Sequence, residues 1–185
     1  MTCVAGIALD GKVTMGADSA GGGGNGWGIR AVAVPKAFRK GPMLMGYTTS
    51  FRMGQLLRHK LVLPEQESED DLQYMVVRFV EAVRECLKAG GYSEIDNNRE
   101  EGGVFLVGYK GVLYRVGDDF QVTPYKDGLA ACGCGVSYAL AAMHVLGGTP
   151  RERVQRALET AAYFSGGVLG PFIVLEACTA GGKEE

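Results

Sequence analysis

Two histidines and one tryptophan are all that the 185 residues contain. With so few imidazoles a Ser-His-Asp triad is hard to assemble, and His59 and His144 both fall where helix surface is expected. No metal site is expected either, because neither histidine lies at ligand spacing from the cysteines. Charge of one sign is also missing: 19 Lys and Arg against 21 Asp and Glu leave a net charge of −2. That excludes the basic surface with which nucleic-acid readers engage phosphates. Long apolar runs are absent. The longest uncharged stretches, residues 135–150 and 160–175, are broken by Gly and Pro and fall short of the roughly 20 residues that span a bilayer. The N-terminal apolar run has no basic lead and stops at Asp10 and Lys12, so no signal peptide and no membrane partner are expected. Five cysteines, an odd number, do not make a disulfide framework. They suit a reducing compartment, and a cytoplasmic location is the expectation.

What the chain has in excess is glycine, 29 residues, without a collagen-like period and gathered at turns. The composition, 46% hydrophobic and 22% charged, is that of a folded protein with a core, and the length suits a single domain over residues 1–185.

The first fifty residues read as strands. Residues 2–9 run to an Asp10-Gly11 turn and return over 12–17. Residues 20–28 (AGGGGNGWG) are too glycine-rich for regular structure and read as a mobile loop. Residues 29–34, closed by Pro35, and 43–49 read as two further strands. A helix opens near Ser50, carries Met53, Leu56, Leu57 and Leu61 on one face, and ends at Pro64. Residues 65–71 (EQESEDD) read as a solvated connector. The next helix has the apolar stripe Leu72, Met75, Val76, Phe79, Val80, Val83 and Leu87 and stops at Gly90-Gly91. Residues 92–102 read as loop, and 104–109, 112–116 and 120–123 as short strands. A small-residue helix over 136–146 precedes Thr149-Pro150-Arg151-Glu152, a capped helix start with Pro at its first position. Residues 172–178 close as a strand. Strands and helices come in blocks, which points to antiparallel sheets with helices stacked outside.

Two motifs are rejected on context. Residues 6–12 (GIALDGK) resemble a phosphate loop, but Val13 stands where Ser or Thr is required and a strand follows instead of a helix. Cys132-Gly133-Cys134 lacks the spacing of a dithiol or zinc pair and reads as small residues at a strand-to-helix turn. Lys36, Arg39 and Lys40 on their own describe a solvated basic face.

The informative segment is the start. Thr2 has the small side chain that permits removal of Met1, and a freed N-terminal Thr carries its own base: an α-amine of ordinary pKa about 7.7–8.0 within reach of its hydroxyl. Such a nucleophile needs a cation beside it, a carboxylate to hold the cation, and backbone N–H donors for an oxyanion. Lys36 and Asp18 supply the first two residue types, each near a predicted strand end.

Thr2, then Gly16-Ala17-Asp18-Ser19, then Lys36, then Leu44-Met45-Gly46-Tyr47-Thr48-Thr49 resemble the N-terminal half of a proteasome β subunit. They are similar also to the bacterial proteasome-like peptidase that works with an ATP-driven unfoldase. Residues 131–146 resemble that family's Gly-Ser-Gly turn and helix, and Ser165-Gly166-Gly167 its Ser-Gly-Gly. The resemblance implies an α+β fold, the four-layer αββα sandwich of N-terminal nucleophile hydrolases. It implies Thr2 as nucleophile, Asp18 and Lys36 as its partners, an oxyanion hole of backbone N–H groups around Thr48 and Thr49, and Cys134 and Ser165 supporting the N-terminus. It further implies a polypeptide substrate, a homo-oligomeric ring, a separate unfoldase and no cofactor. Three departures stand out: Cys134 replaces the usual serine, Ala162 an acidic residue, and Thr49 a glycine. The rival expectations are a non-catalytic subunit of the same fold and an amidase acting on a small amide.

Overall fold

Asp10 and Gly11 both adopt positive φ, 50° and 72°, the pair of values that folds one strand tightly back on another. They join β1 (Cys3–Leu9) to β2 (Lys12–Ala17). The computed structural model describes residues 1–22, 28–96 and 99–178. Along the chain follow β3 (Ala20–Gly21), β4 (Arg30–Ala31), β5 (Ala37–Lys40), β6 (Met43–Tyr47) and α1 (Phe51–His59). Helix α2 (Asp71–Tyr74) runs through a π-helical turn (Met75–Phe79) into α3 (Val80–Ala89). Then come β7 (Glu94–Asp96), β8 (Arg99–Glu101), β9 (Phe105–Tyr109), β10 (Val112–Val116), β11 (Val122–Pro124) and β12 (Leu129–Gly133). The last elements are α4 (Val136–Val145), α5 (Pro150–Phe164) and β13 (Ile173–Cys178).

Two antiparallel sheets result, one ordered β12-β1-β2-β13 and the other β11-β10-β9-β6-β5. Period-two alternation assigns each strand face to a layer. Cys3, Ala5 and Ile7 of β1 meet α4 and α5 through Ala139, Met143, Val154 and Leu158. Val4, between them, points to the other sheet, with Met15, Leu44 and Leu106. On the second sheet Met45, Tyr47, Phe105 and Val107 pack under α1 and α3 against Met53, Leu57, Phe79 and Val83. The architecture is a four-layer αββα sandwich. The sheets approach closely because Gly46 has no side chain: a Cβ there would lie 2.5 Å from Val4 Cγ1 and 2.8 Å from Met15 Sδ. Fully buried side chains such as Leu57, Leu158 and Phe105 contribute about 1.5–3 kcal/mol each.

Several expectations are corrected. Residues 29–34 are not one strand; only Arg30 and Ala31 pair, with Gly21 and Ala20, so the glycine-rich segment begins in a short ladder. The mobility expected for it falls on residues 23–27, outside the described residues. Strand β5 follows Pro35 and pairs with β6, and β12 pairs with β1; neither Ala-Phe-Arg-Lys nor Leu-Ala-Ala-Cys-Gly holds a β-branched residue to signal a strand. Strands β7 and β8 form a hairpin within 92–102 where loop was expected. The long helix does not keep its stripe: Leu72 and Val76 are exposed while Tyr74 and Met75 are buried. The π turn adds a residue to one turn and rotates the inward face. The connector is tied down as well. Gln66 donates to Asp71, Lys110 donates to both, and Arg78 bridges Glu67 and Glu69. The capping box of Thr149 and Glu152 forms as expected. Among the described residues, no helix is long and apolar enough to cross a membrane.

Candidate active site

One end of both sheets gathers the residues singled out above. Thr2 precedes β1, whose Cys3 stands opposite Gly133 of β12. Asp18 follows β2, and its N–H donates to the Cys3 carbonyl at 3.1 Å. Lys36 precedes β5, and its carbonyl accepts from Tyr47 N–H at 3.0 Å, so β5–β6 pairing fixes where the lysine enters. Gly133 at φ 95° lets β12 turn under the N-terminal segment; a Cβ there would strike the Thr2 carbonyl oxygen at 2.2 Å.

Lys36 Nζ donates to Thr2 Oγ1 at 3.0 Å and to Asp18 Oδ1 at 2.8 Å. The Lys36 and Asp18 side chains are 1% and 0% exposed. Asp18 also accepts from Cys3 N–H at 3.0 Å, Ala20 N–H at 2.9 Å and Leu169 N–H at 3.3 Å. A buried carboxylate so supplied is held in one place, and it holds the lysine against the threonine. Those three backbone donors are absent from the sequence reading. The donors from Cys3 and Leu169 come from segments that only tertiary folding joins, whereas Ala20 N–H, two residues on from Asp18, is a local turn contact. Phe51 adds a ring whose centroid lies 5.8 Å from Lys36 Nζ.

The N-terminal side is closed by softer contacts. Thr2 N–H donates to Cys134 Sγ at 3.4 Å, and the thiol donates to the Thr2 carbonyl at 3.3 Å. Ser165, expected at the Thr2 amine itself, donates instead to Cys134 Sγ at 3.6 Å and receives Gly167 N–H at 3.4 Å. It acts through the cysteine. Ala162 packs on the core beneath α4 and α5 and offers no polar group. Met1 is half exposed, its carbonyl accepting from the Thr2 hydroxyl.

The expected pair of oxyanion donors reduces to one. Thr48 N–H is spent on the Val104 carbonyl at 3.1 Å, whereas Thr49 N–H has no acceptor among the described residues. Thr49 has φ 68°, and Ser50 N–H bonds back to the Thr48 carbonyl at 2.8 Å, a tight three-residue turn around a β-branched residue. Val104 N–H to Thr49 Oγ1, 3.1 Å, steadies it.

An open cleft of about 560 Å³ adjoins Phe51, lined among the described residues by Gly21, Gly22, Gly28, Arg30, Ala31 and Val32. A larger hollow of about 720 Å³ lies at the acidic connector, where Lys110 is already paired with Asp71. Other candidates fall away. Burial pushes the Cys3 thiol far above its ordinary range and that of Cys132 up to about 12, so neither offers a thiolate. His59 and His144 lie on helix surfaces, and residues 6–12 form the β1–β2 hairpin. Among the described residues no group of three or more His, Cys, Asp or Glu could hold a metal ion.

No family model matches the chain, and no curated protein matches it in sequence. Solved structures do. BPH of Thiobacillus denitrificans in complex with epoxomicin is 19% identical, with a TM-score of 0.76 over 96% of this chain and 99% of that one. The eukaryotic HslV of Trypanosoma brucei is 15% identical, TM-score 0.66, over 94% and 98%. Anbu (ancestral beta-subunit) of Yersinia bercovieri is 16% identical, TM-score 0.65, over 96% and 82%. At such identities the likeness is one of architecture, and it agrees with the layers described above: the chain has the αββα fold of the N-terminal nucleophile hydrolases, shared with these proteasome-like structures.

Proposed function

We propose that the chain, as one domain over residues 1–185, is a threonine-type endopeptidase of the proteasome β-like class. The observation that carries this reading is the position of Lys36 Nζ, shared between the Thr2 hydroxyl and the buried Asp18 carboxylate. Removal of Met1 converts the Thr2 amide nitrogen into an amine, and that amine is the base the arrangement requires. Thr2 Oγ1 attacks the substrate carbonyl and its proton passes to the amine. The oxyanion forms opposite Lys36 with Thr49 N–H as donor. Collapse breaks the C–N bond, the departing amine takes the proton, and an ester remains on Thr2. Water, deprotonated by the same amine, attacks that ester and releases the acid and the free hydroxyl.

Polypeptide is the proposed substrate, with the cleft beside Phe51 flanking the reacting atoms. A ring of identical subunits in the cytoplasm, served by a separate ATP-driven unfoldase, completes the reading, supported by the likeness to HslV and Anbu. A second reading, a non-catalytic subunit, is favoured by the weak support on the N-terminal side, where Thr2 N–H meets the Cys134 sulfur and Ala162 offers no polar group.

Intact mass separates the two. The purified protein is weighed before and after epoxomicin, whose neighbouring ketone and epoxide offer electrophiles to the hydroxyl and the amine of one N-terminal threonine. Loss of Met1 with one adduct, absent from Thr2→Ala, is expected. Retained Met1 without an adduct overturns the peptidase in favour of the non-catalytic subunit.

A further inference from the structure

Cys134 is exposed, and its sulfur lies 3.4 Å from the Thr2 nitrogen, 3.3 Å from the Thr2 carbonyl oxygen and 3.6 Å from Ser165 Oγ. Gly167 leaves one side of the sulfur open: a Cβ there would come within 2.7 Å of Cys134 Sγ and 3.3 Å of Met1 Cγ. Met1 thus lies at the same opening. Its removal uncovers that space and turns the Thr2 amide, whose nitrogen has no electron pair to offer an ion, into an amine that has one.

A thiolate beside an amine and a hydroxyl is a ligand set for a thiophilic divalent cation, not for magnesium or calcium, which take oxygen. The spacing fits. In a tetrahedral zinc site, with sulfur at about 2.3 Å and nitrogen or oxygen at about 2.1 Å, neighbouring ligands stand about 3.6 Å apart. The Thr2 nitrogen and Ser165 Oγ are 3.4 and 3.6 Å from the sulfur. The freed amine and the Thr2 carbonyl oxygen can also close a five-membered chelate ring on one ion. Only one of these ligands is a His, Cys, Asp or Glu side chain; the others are the chain's own terminus and a hydroxyl. The Lys36 ammonium near Thr2 is paired with Asp18 at 2.8 Å, so it sets no unbalanced charge against a cation.

We infer that Cys134 and a Thr2 freed of Met1 form a site for a thiophilic divalent cation of the zinc type, with Ser165 as an oxygen ligand, and that the ion switches the peptidase off. The site rests on the reading above in which Met1 is removed. Binding sends the thiol proton to solvent and engages the electron pair of the amine. The amine can then no longer take the proton of the Thr2 hydroxyl, and the nucleophile stays idle until the ion leaves. Serine in place of Cys134 would supply no thiolate, so the switch belongs to the cysteine that this chain carries.

The test is titration with zinc and cobalt of protein that begins at Thr2, prepared by cleaving an N-terminal fusion so that its start does not depend on processing of Met1. Calorimetry counts the zinc, and cobalt reports a thiolate ligand by its near-ultraviolet charge-transfer absorption. One ion per chain with that absorption is expected. Cys134→Ser should lose the absorption and bind zinc at least about tenfold more weakly, as should protein that retains Met1, and Ser165→Ala should bind several-fold more weakly. Circular dichroism confirms that every variant is folded. The inference is overturned by a Thr2-starting protein that binds no ion, by thiolate absorption that persists in Cys134→Ser, or by equal binding to the Met1-bearing chain. Zinc should also suppress epoxomicin labelling of wild type and spare Cys134→Ser; labelling at full rate with zinc bound overturns the switch. Protein that binds zinc but never labels retires the peptidase and keeps the site, whereas protein that labels but binds no zinc does the reverse.

Discussion

Asp18 meets Lys36 at 2.8 Å with both side chains out of solvent, yet the two are unequally provided for. Asp18 keeps three backbone N–H donors if the lysine is removed. Among the described residues, Lys36 without Asp18 keeps only the Thr2 hydroxyl and the Phe51 ring. Removing one partner of a buried pair costs about 3–5 kcal/mol when the other is left uncompensated. Asp18→Asn is therefore expected near that cost, and Lys36→Met well below it, at about 1–2 kcal/mol. Urea unfolding of both variants checks the order, and equal or reversed losses would show that the backbone donors contribute little.

The chemistry runs the other way. Lys36→Met leaves Thr2 in place but removes the charge beside its oxygen, so the epoxomicin adduct should form at least about 10²-fold more slowly. Thr2→Ser keeps the hydroxyl and should keep measurable labelling. A Lys36→Met variant that labels at the wild-type rate would place the activating charge elsewhere.

The contrast between legible and illegible parts has a physical basis. Thr2, Asp18 and Lys36 could be picked out because their chemistry is carried by side chains close to strand ends. The hairpin at Asp10-Gly11 and the cap at Thr149 were legible because each is a local device satisfied within a few residues. Strands β5 and β12 were not, since neither holds a β-branched residue and each takes its strand state from the neighbours it pairs with. The Asp18 donors from Cys3 and Leu169 have no side-chain signature, and the occupation of Thr48 N–H by Val104 is a matter of sheet registration. The inward turn of Tyr74 in place of Leu72 follows from a π turn that no apolar stripe announces.

The connector that was expected to be solvated gives a pH prediction. The hydrogen bond from Gln66, and then the Lys110 ammonium, hold the Asp71 carboxyl below the usual carboxylate range; Arg78 does the same for Glu67. Groups depressed in the folded state stabilise it above their unfolded pKa values, and that contribution is lost as pH falls through the lower folded values. Amide exchange in residues 65–71 should therefore quicken, relative to its intrinsic rate, below about pH 4, before the core does. Asp71→Asn should remove part of that dependence.

Thr49 holds φ 68° against the preference of a β-branched side chain, at a cost of about 1–2 kcal/mol. Glycine would relieve that strain but forfeit the bond from Val104 N–H to Thr49 Oγ1, worth about 1 kcal/mol. Since Thr49 is exposed, water can take over part of that bond, and Thr49→Gly should be neutral to about 1 kcal/mol stabilising. Thr49→Val keeps the strain and loses the bond, so it should destabilise by about 1–2 kcal/mol. Thermal melts of the three proteins settle the order, and valine matching wild type would mean that the side-chain bond carries no weight.

Cys134 stands where its sulfur receives Thr2 N–H at 3.4 Å and Ser165 Oγ at 3.6 Å, contacts that a hydroxyl would make stronger. Cys134→Ser should therefore hold the freed amine more firmly, and kcat/KM for an unstructured peptide should rise several-fold, within the tenfold that about 1.4 kcal/mol allows. Cys134→Ala removes the acceptor and should lower it by a similar factor. Because Ser165 reaches the amine only through this position, Ser165→Ala should matter in wild type and matter little in Cys134→Ala. That non-additivity is the signature of a relay through the sulfur. Independent, additive losses from the two alanine variants would show that Ser165 supports the site by another route.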